Sequence, residues 1–162
     1  MDVANEIYGD STQMVVHGIS MGGATTMMVS GEPQPEYVKC FIDDCGYTSV
    51  WDQFSKELDE QFGLPEIPLM YTSSWLCNWK YGWSFEEASA LKQVEKCHLP
   101  MLFIHGEKDD YVPTWMVYQL YEAKPQPKEL WIVPNADHAT SYKRNKEVYT
   151  EKVKQFTDKY IQ

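Results

Sequence analysis

Apolar and polar positions follow two rhythms along this chain. Four short runs are almost continuously apolar, with many β-branched or aromatic members: Gln13–His17, Val38–Ile42, Met101–His105 and Leu130–Val133. They stop at Gly18, at Asp43-Asp44, at Gly106 and at Pro134, and runs of this length predict strands buried in a parallel sheet. Between them lie stretches of helical character. Met21 to Ser30, rich in small residues and closed by Gly31 and Pro33, predicts one helix. Ser49 is the expected N-cap of another, with Val50, Phe54, Leu58 and Phe62 along one side and Gly63 at its end. Pro65 and Pro68 mark a loop, and the capping-box pair Ser84 and Glu87 predicts a helix from Phe85 to about Gln93. Pro113 suits the first position of a helix reaching about Tyr121, and Tyr149, Val153, Phe156 and Tyr160 share one face of a last helix. The order β-α-β-(helical insert)-β-α-β-α predicts an α/β fold. Its right-handed crossovers stack about four parallel strands with helices on both faces.

Composition narrows the function. A chain of 162 residues, 43% hydrophobic and 23% charged, suits one ordinary domain with a real core. Its net charge of −10, from 24 acids against 14 bases, repels phosphate backbones and anionic lipid heads. Neither nucleic acid nor a membrane is an expected partner. The first residues are polar, unlike a signal peptide, and no apolar run reaches spanning length, so the expected location is cytoplasmic. Cys40, Cys45, Cys77 and Cys97 form no C-x-x-C pair, which argues for buried free thiols and against a zinc site.

The loops after the strands carry the chemistry, as expected where open α/β sheets build their sites. Gly18-Ile19-Ser20-Met21-Gly22 is a G-x-S-x-G pattern between a predicted strand and a predicted helix, the setting of a nucleophile turn. Glycines two before and two after Ser20 are expected to remove Cβ atoms that would clash in a sharp turn. Ser20 Oγ then stands at the tip, with the N–H of Met21 at the helix start placed to stabilise an oxyanion. After the third strand, His105-Gly106-Glu107-Lys108-Asp109-Asp110 offers Asp109 as a carboxylate to orient a histidine. After the fourth, Asn135-Ala136-Asp137-His138 supplies that histidine as general base. Alone, the loops of Asp109 and His138 read as surface turns; the order Ser, Asp, His at successive strand ends is what points to nucleophilic catalysis, which needs no metal or organic cofactor. Asp43 and Asp44 are a minor alternative for the acid. His17 and His105 are expected to be packed, and His98 to lie in a loop. The Trp75, Trp79 and Trp83 stripe reads as core or interface, or as the lining of a substrate pocket.

These residues resemble a known family. HGISMGGATTMM, IDDCGYTSVWDQFSKEL, WSFEEASALKQV, LPMLFIHGEKDDYVP and IVPNADHATSY are similar to bacterial α/β-hydrolases of the serine-aminopeptidase-like or esterase-like group, over nearly the whole chain. The resemblance implies a triad of Ser20, Asp109 and His138, a helical cap over about residues 47–93, and a small ester or amide substrate. It also implies a single truncated domain, because the family's nucleophile usually follows the fifth of about eight strands. Asp2 to Tyr8 resemble the tail of the preceding family helix. The expected consequences are a nucleophile strand at an open sheet edge, a homo-oligomer joined through that edge, and weakened turnover for want of a second oxyanion donor. A catalytically weak half-domain serving as an oligomeric or binding module is the rival expectation, and an aminopeptidase-like activity a third.

Overall fold

The computed structural model describes residues 2–9 and 11–161. After helix α1 (Asp2–Tyr8) come β1 (Met14–Ile19), α2 (Met21–Ser30), β2 (Val38–Asp44), α3 (Val50–Phe62), α4 (Glu66–Tyr81) and α5 (Ala90–Val94). There follow β3 (Met101–Gly106), α6 (Trp115–Ala123), β4 (Lys128–Val133), α7 (Ser141–Arg144) and α8 (Lys146–Thr157). The strands form one sheet in the order β1-β2-β3-β4, and every pairing is parallel. Gly18 pairs with Asp43, Asp44 with Ile104 and Gly106 with Val133, so all four strands deliver their C-terminal ends to one edge of the sheet.

Burial explains why the strand runs were legible. β3 is buried at every position and β2 at all but Lys39, because each has a strand on either side and a helical layer on both faces. On one face, Met27 of α2, Ala90 and Val94 of α5 and Val117 and Leu120 of α6 close over Val38, Phe41, Met101 and Phe103. On the other, Tyr149 and Phe156 of α8 cover Cys40, Ile42, Leu102 and Ile104. β1 lies at a sheet edge, with His17 and Ile19 exposed.

A third apolar cluster joins Val50, Met70 and Phe85 and holds the inserted helices together. Ser49 caps α3 as expected, its side chain accepting the Asp52 N–H at 3.0 Å, and Gly63 closes it at φ 60°. α4 breaks at Ile67, whose extended backbone (φ −95°, ψ 126°) is the one that a following proline imposes. The helix expected from Phe85 does not form. Ser84 and Glu87 do exchange both capping-box bonds (2.8 and 3.3 Å), but they close only a turn. The Phe85 N–H is taken by Ser74 Oγ (3.0 Å), and helix starts afresh at Ser89, which accepts the Lys92 N–H. Ala90 and Val94 of α5 pack with the sheet layer, whereas α3 and α4 gather around the third cluster. Pro113 sits one residue before the Thr114 N-cap of α6, rather than at the helix's first position. Among the described residues, no helix is long and apolar enough to cross a membrane.

Candidate active site

Ser20 connects β1 to α2 with φ 56° and ψ −118°, a backbone region costly for a residue with a side chain. Its N–H donates to the Asp44 carbonyl at the end of β2 (2.8 Å), and its own carbonyl accepts from the Ala24 N–H (3.0 Å). The turn is so tight that a Cβ on Gly18 would fall 2.0 Å from the Gly22 oxygen and 2.5 Å from Thr26 Oγ1. The second glycine of the motif has no such duty: a Cβ on Gly22 would meet nothing within 4 Å. Gly23 is the crowded neighbour, where a Cβ would lie 2.2 Å from Asp43 Oδ1. The expectation that Gly22 relieves a clash is therefore corrected.

The three residues picked from separate strand ends meet here. Ser20 Oγ–H donates to His138 Nε2 (2.7 Å), and His138 Nδ1–H donates to Asp109 Oδ2 (2.8 Å). Accepting from Nδ1–H fixes the tautomer that leaves Nε2 free to take the serine proton. The Asp109 side chain is fully buried, whereas that of His138 remains 20% exposed at the mouth of the site. Asp109 Oδ1 accepts the Val112 N–H (2.9 Å), and His105 Nε2–H donates to the Val112 carbonyl (2.8 Å), so a packed histidine holds the acid's turn. Burial lowers the pKa of His105, which keeps it neutral for that role. Met21 opens α2, and the first N–H groups of a helix lack partners within it, which suits them to an oxyanion beside Ser20.

Several supporting residues carried no sequence signal. Cys45, at φ 51° directly after β2, is buried, with its sulfur within 4.8 Å of an Asp109 oxygen and a His138 ring nitrogen. Tyr111 places its ring 4.8 Å from that of His138, and Gln53 of α3 donates to the Tyr111 carbonyl (3.0 Å), tying the inserted helices to the Asp109 loop. Asp43 and Asp44 lie beneath the site and do not take the acid's place. Asp44 accepts from Tyr149 OH (2.9 Å) and Ser141 Oγ (3.2 Å), joining α7 and α8 to the sheet. Burial first, then the adjacent Asp44 charge, lifts Asp43 well above the usual carboxylate range. His17, expected to be packed, is exposed, but its Nε2–H reaches Tyr149 OH at 3.0 Å. His98 lies exposed in a loop, as expected.

Trp75 and Trp79 on α4 and Trp83 just beyond it are 68, 76 and 40% exposed, which removes them from the core. An apolar cleft of about 350 Å³ beside α3 and α4 is lined by Phe54, Leu58, Phe62, Leu69, Met70 and Phe85, with polar Glu57 and Ser73.

The sequence model of the prolyl oligopeptidase family matches residues 2–162. The chain is 34% identical over 143 residues to the uncharacterized protein YqkD of Bacillus subtilis (strain 168), covering 88% of this chain and 47% of that one. It is 22% identical over 174 residues to dipeptidyl-peptidase 5 of Porphyromonas endodontalis, covering 99% and 23%. It thus spans about half the length of YqkD and less of the peptidase. Among solved structures, the Pyrococcus furiosus esterase Pf2001 superposes with a TM-score of 0.73 at 19% identity, over 99% of this chain and 59% of that one. An acylaminoacyl peptidase in complex with Z-Gly-Gly-Phe-chloromethyl ketone gives 0.72 at 17% identity, over 99% and 26%. These likenesses establish the shared α/β-hydrolase fold.

Proposed function

This chain belongs to the prolyl oligopeptidase family, and we propose that it acts as a serine hydrolase that cleaves a small carboxylic ester, or an amide, through an acyl-enzyme. The observation that carries the proposal is the unbroken line from Ser20 Oγ through His138 to Asp109, with bonds of 2.7 and 2.8 Å. His138 Nε2 takes the proton as Ser20 Oγ attacks the carbonyl carbon, and Asp109 stabilises the imidazolium that forms. The Met21 N–H and the start of α2 meet the developing oxyanion. The protonated Nε2 then gives its proton to the leaving alcohol or amine. Water, deprotonated by the same nitrogen, releases the acid and restores the serine.

Turnover of p-nitrophenyl acetate against an aminoacyl-p-nitroanilide, each with wild type and Ser20→Ala, tests the proposal. Serine-dependent cleavage of the ester alone supports an esterase, and of the anilide a peptidase. Cleavage that survives in Ser20→Ala, or none on either substrate, refutes the role given to Ser20.

One observation favours a second reading, an assembly module. β1 is an edge strand with Ile19 48% exposed, the kind of edge that pairs with another chain. A monomeric mass in solution would dispose of it.

A further inference from the structure

Three ligand-bearing atoms converge beneath His138. The sulfur of Cys45, a carboxylate oxygen of Asp109 and a ring nitrogen of His138 all lie within 4.8 Å of one another. They come from the ends of three different strands, β2, β3 and β4, so no sequence spacing announces them. Cys45 is anchored by its N–H to the Ile104 carbonyl (2.8 Å), and both it and Asp109 are buried. His138 is the part-exposed member through which an ion would enter.

We propose that Cys45, Asp109 and His138 form an inhibitory site for a thiophilic divalent cation, Zn²⁺ above all. The donor set is the argument. A thiolate, an imidazole and a carboxylate are the ligands that zinc takes, at about 2.3, 2.0 and 2.0 Å. Ligands around such an ion stand roughly 3.4–3.7 Å apart, so the cluster closes by about an ångström of side-chain adjustment. Thiolate and carboxylate together cancel the charge of the ion, which leaves a neutral complex in a buried place.

The exchange balances simply. Zn²⁺ binds the Cys45 sulfur, one Asp109 oxygen and His138 Nδ1, the ring nitrogen that faces Asp109. The thiol proton leaves to solvent, and the imidazole proton moves from Nδ1 to Nε2. One ion enters, one proton departs, and nothing is oxidised or reduced. Nε2–H then faces Ser20 Oγ as a donor, so the histidine has lost its capacity as a base.

Binding of zinc itself does not depend on the hydrolase reading; only its effect on Ser20 does. The test therefore has two arms. In the first, Zn²⁺ is titrated against a chromophoric chelator. Wild type and Ser20→Ala bind one ion per chain, Cys45→Ser and His138→Ala bind at least about tenfold more weakly, and Cys40→Ser, altered at a buried thiol outside the cluster, matches wild type. In the second, the rate of fluorophosphonate labelling with and without Zn²⁺ is compared as a ratio within each variant, so that basal differences cancel. Zinc slows labelling of wild type and Cys40→Ser but not of Cys45→Ser. Absence of zinc binding by wild type, or equal binding by Cys45→Ser, overturns the proposal. Zinc binding by a chain whose Ser20 never labels upholds the site and overturns the hydrolase reading instead.

Discussion

Replacing Gly18 by alanine puts a methyl group inside the turn that carries Ser20. The added Cβ would lie 2.0 Å from the Gly22 oxygen, 2.2 Å from the Gly22 carbonyl carbon and 2.5 Å from Thr26 Oγ1. Two of these atoms are backbone at the start of α2, which is fixed in turn by the Ser20 N–H bond to Asp44 and the close approach of Gly23 to Asp43. Relief must come from moving the helix, so the cost stands at or above about 3 kcal/mol, the upper end for overpacking. For a chain of this size that is a fall of roughly 6–12 °C in Tm. Gly22→Ala is the paired control. Its Cβ meets nothing within 4 Å, and alanine is favoured over glycine in a helix by up to about 1 kcal/mol. Urea denaturation followed by tryptophan fluorescence measures both, and fluorophosphonate labelling reads the turn directly. Gly18→Ala is expected to lose stability and labelling together, and Gly22→Ala to lose neither. Equal losses in the two variants would refute the steric account and return the motif to a symmetric reading.

Asp109→Asn keeps an oxygen for the Val112 N–H but no longer fixes the His138 tautomer, so turnover should fall by about 10⁴ with urea stability little changed; a drop of less than tenfold would argue that another group holds the imidazole. Asp43 takes up its proton in the fold at a higher pH than in the unfolded chain, because of burial and the Asp44 charge. Its contribution is therefore fully present below the unfolded value of about 3.9 and is lost as pH rises toward the raised folded value, with a slope of up to about 1.4 kcal/mol per pH unit. The Tm of wild type minus that of Asp43→Asn, scanned from acid to mildly alkaline pH, should decline as pH rises; a flat difference would contradict this. Ser49→Ala removes the cap of α3 and should lower stability by about 1 kcal/mol in urea titration, with no change expected if the Asp52 N–H finds another acceptor.

The strands were legible because two central strands buried on both faces leave continuous apolar runs, and the candidate site was legible because those runs end in loops with chemical side chains. Ser20, Asp109 and His138 could be picked one by one from strand ends, since parallel strands bring such ends together. What escaped was set by contacts across the fold. Phe85 lies within a well-formed capping box, yet its N–H goes to Ser74 and its ring packs on Phe54 and Trp83, so the turn never extends into helix. The burdens on Gly23 and Gly22 could not be told apart from a motif, because one abuts Asp43 of β2 and the other faces open space. Cys45 gave no signal at all: its position against His138 and Asp109 depends on the register of β2 with β3. The tryptophan stripe has helical spacing, but spacing does not say which side of α4 meets the protein. Met70 and Ser74 take the inner side.

The central claim, that Ser20 is an activated nucleophile, is tested most directly by reacting the folded chain with a fluorophosphonate and locating the adduct by peptide mass. The account predicts one adduct, on Ser20, lost in Ser20→Ala and strongly slowed in His138→Ala. A folded chain that stays unlabelled, or one labelled elsewhere or equally well without His138, would contradict it.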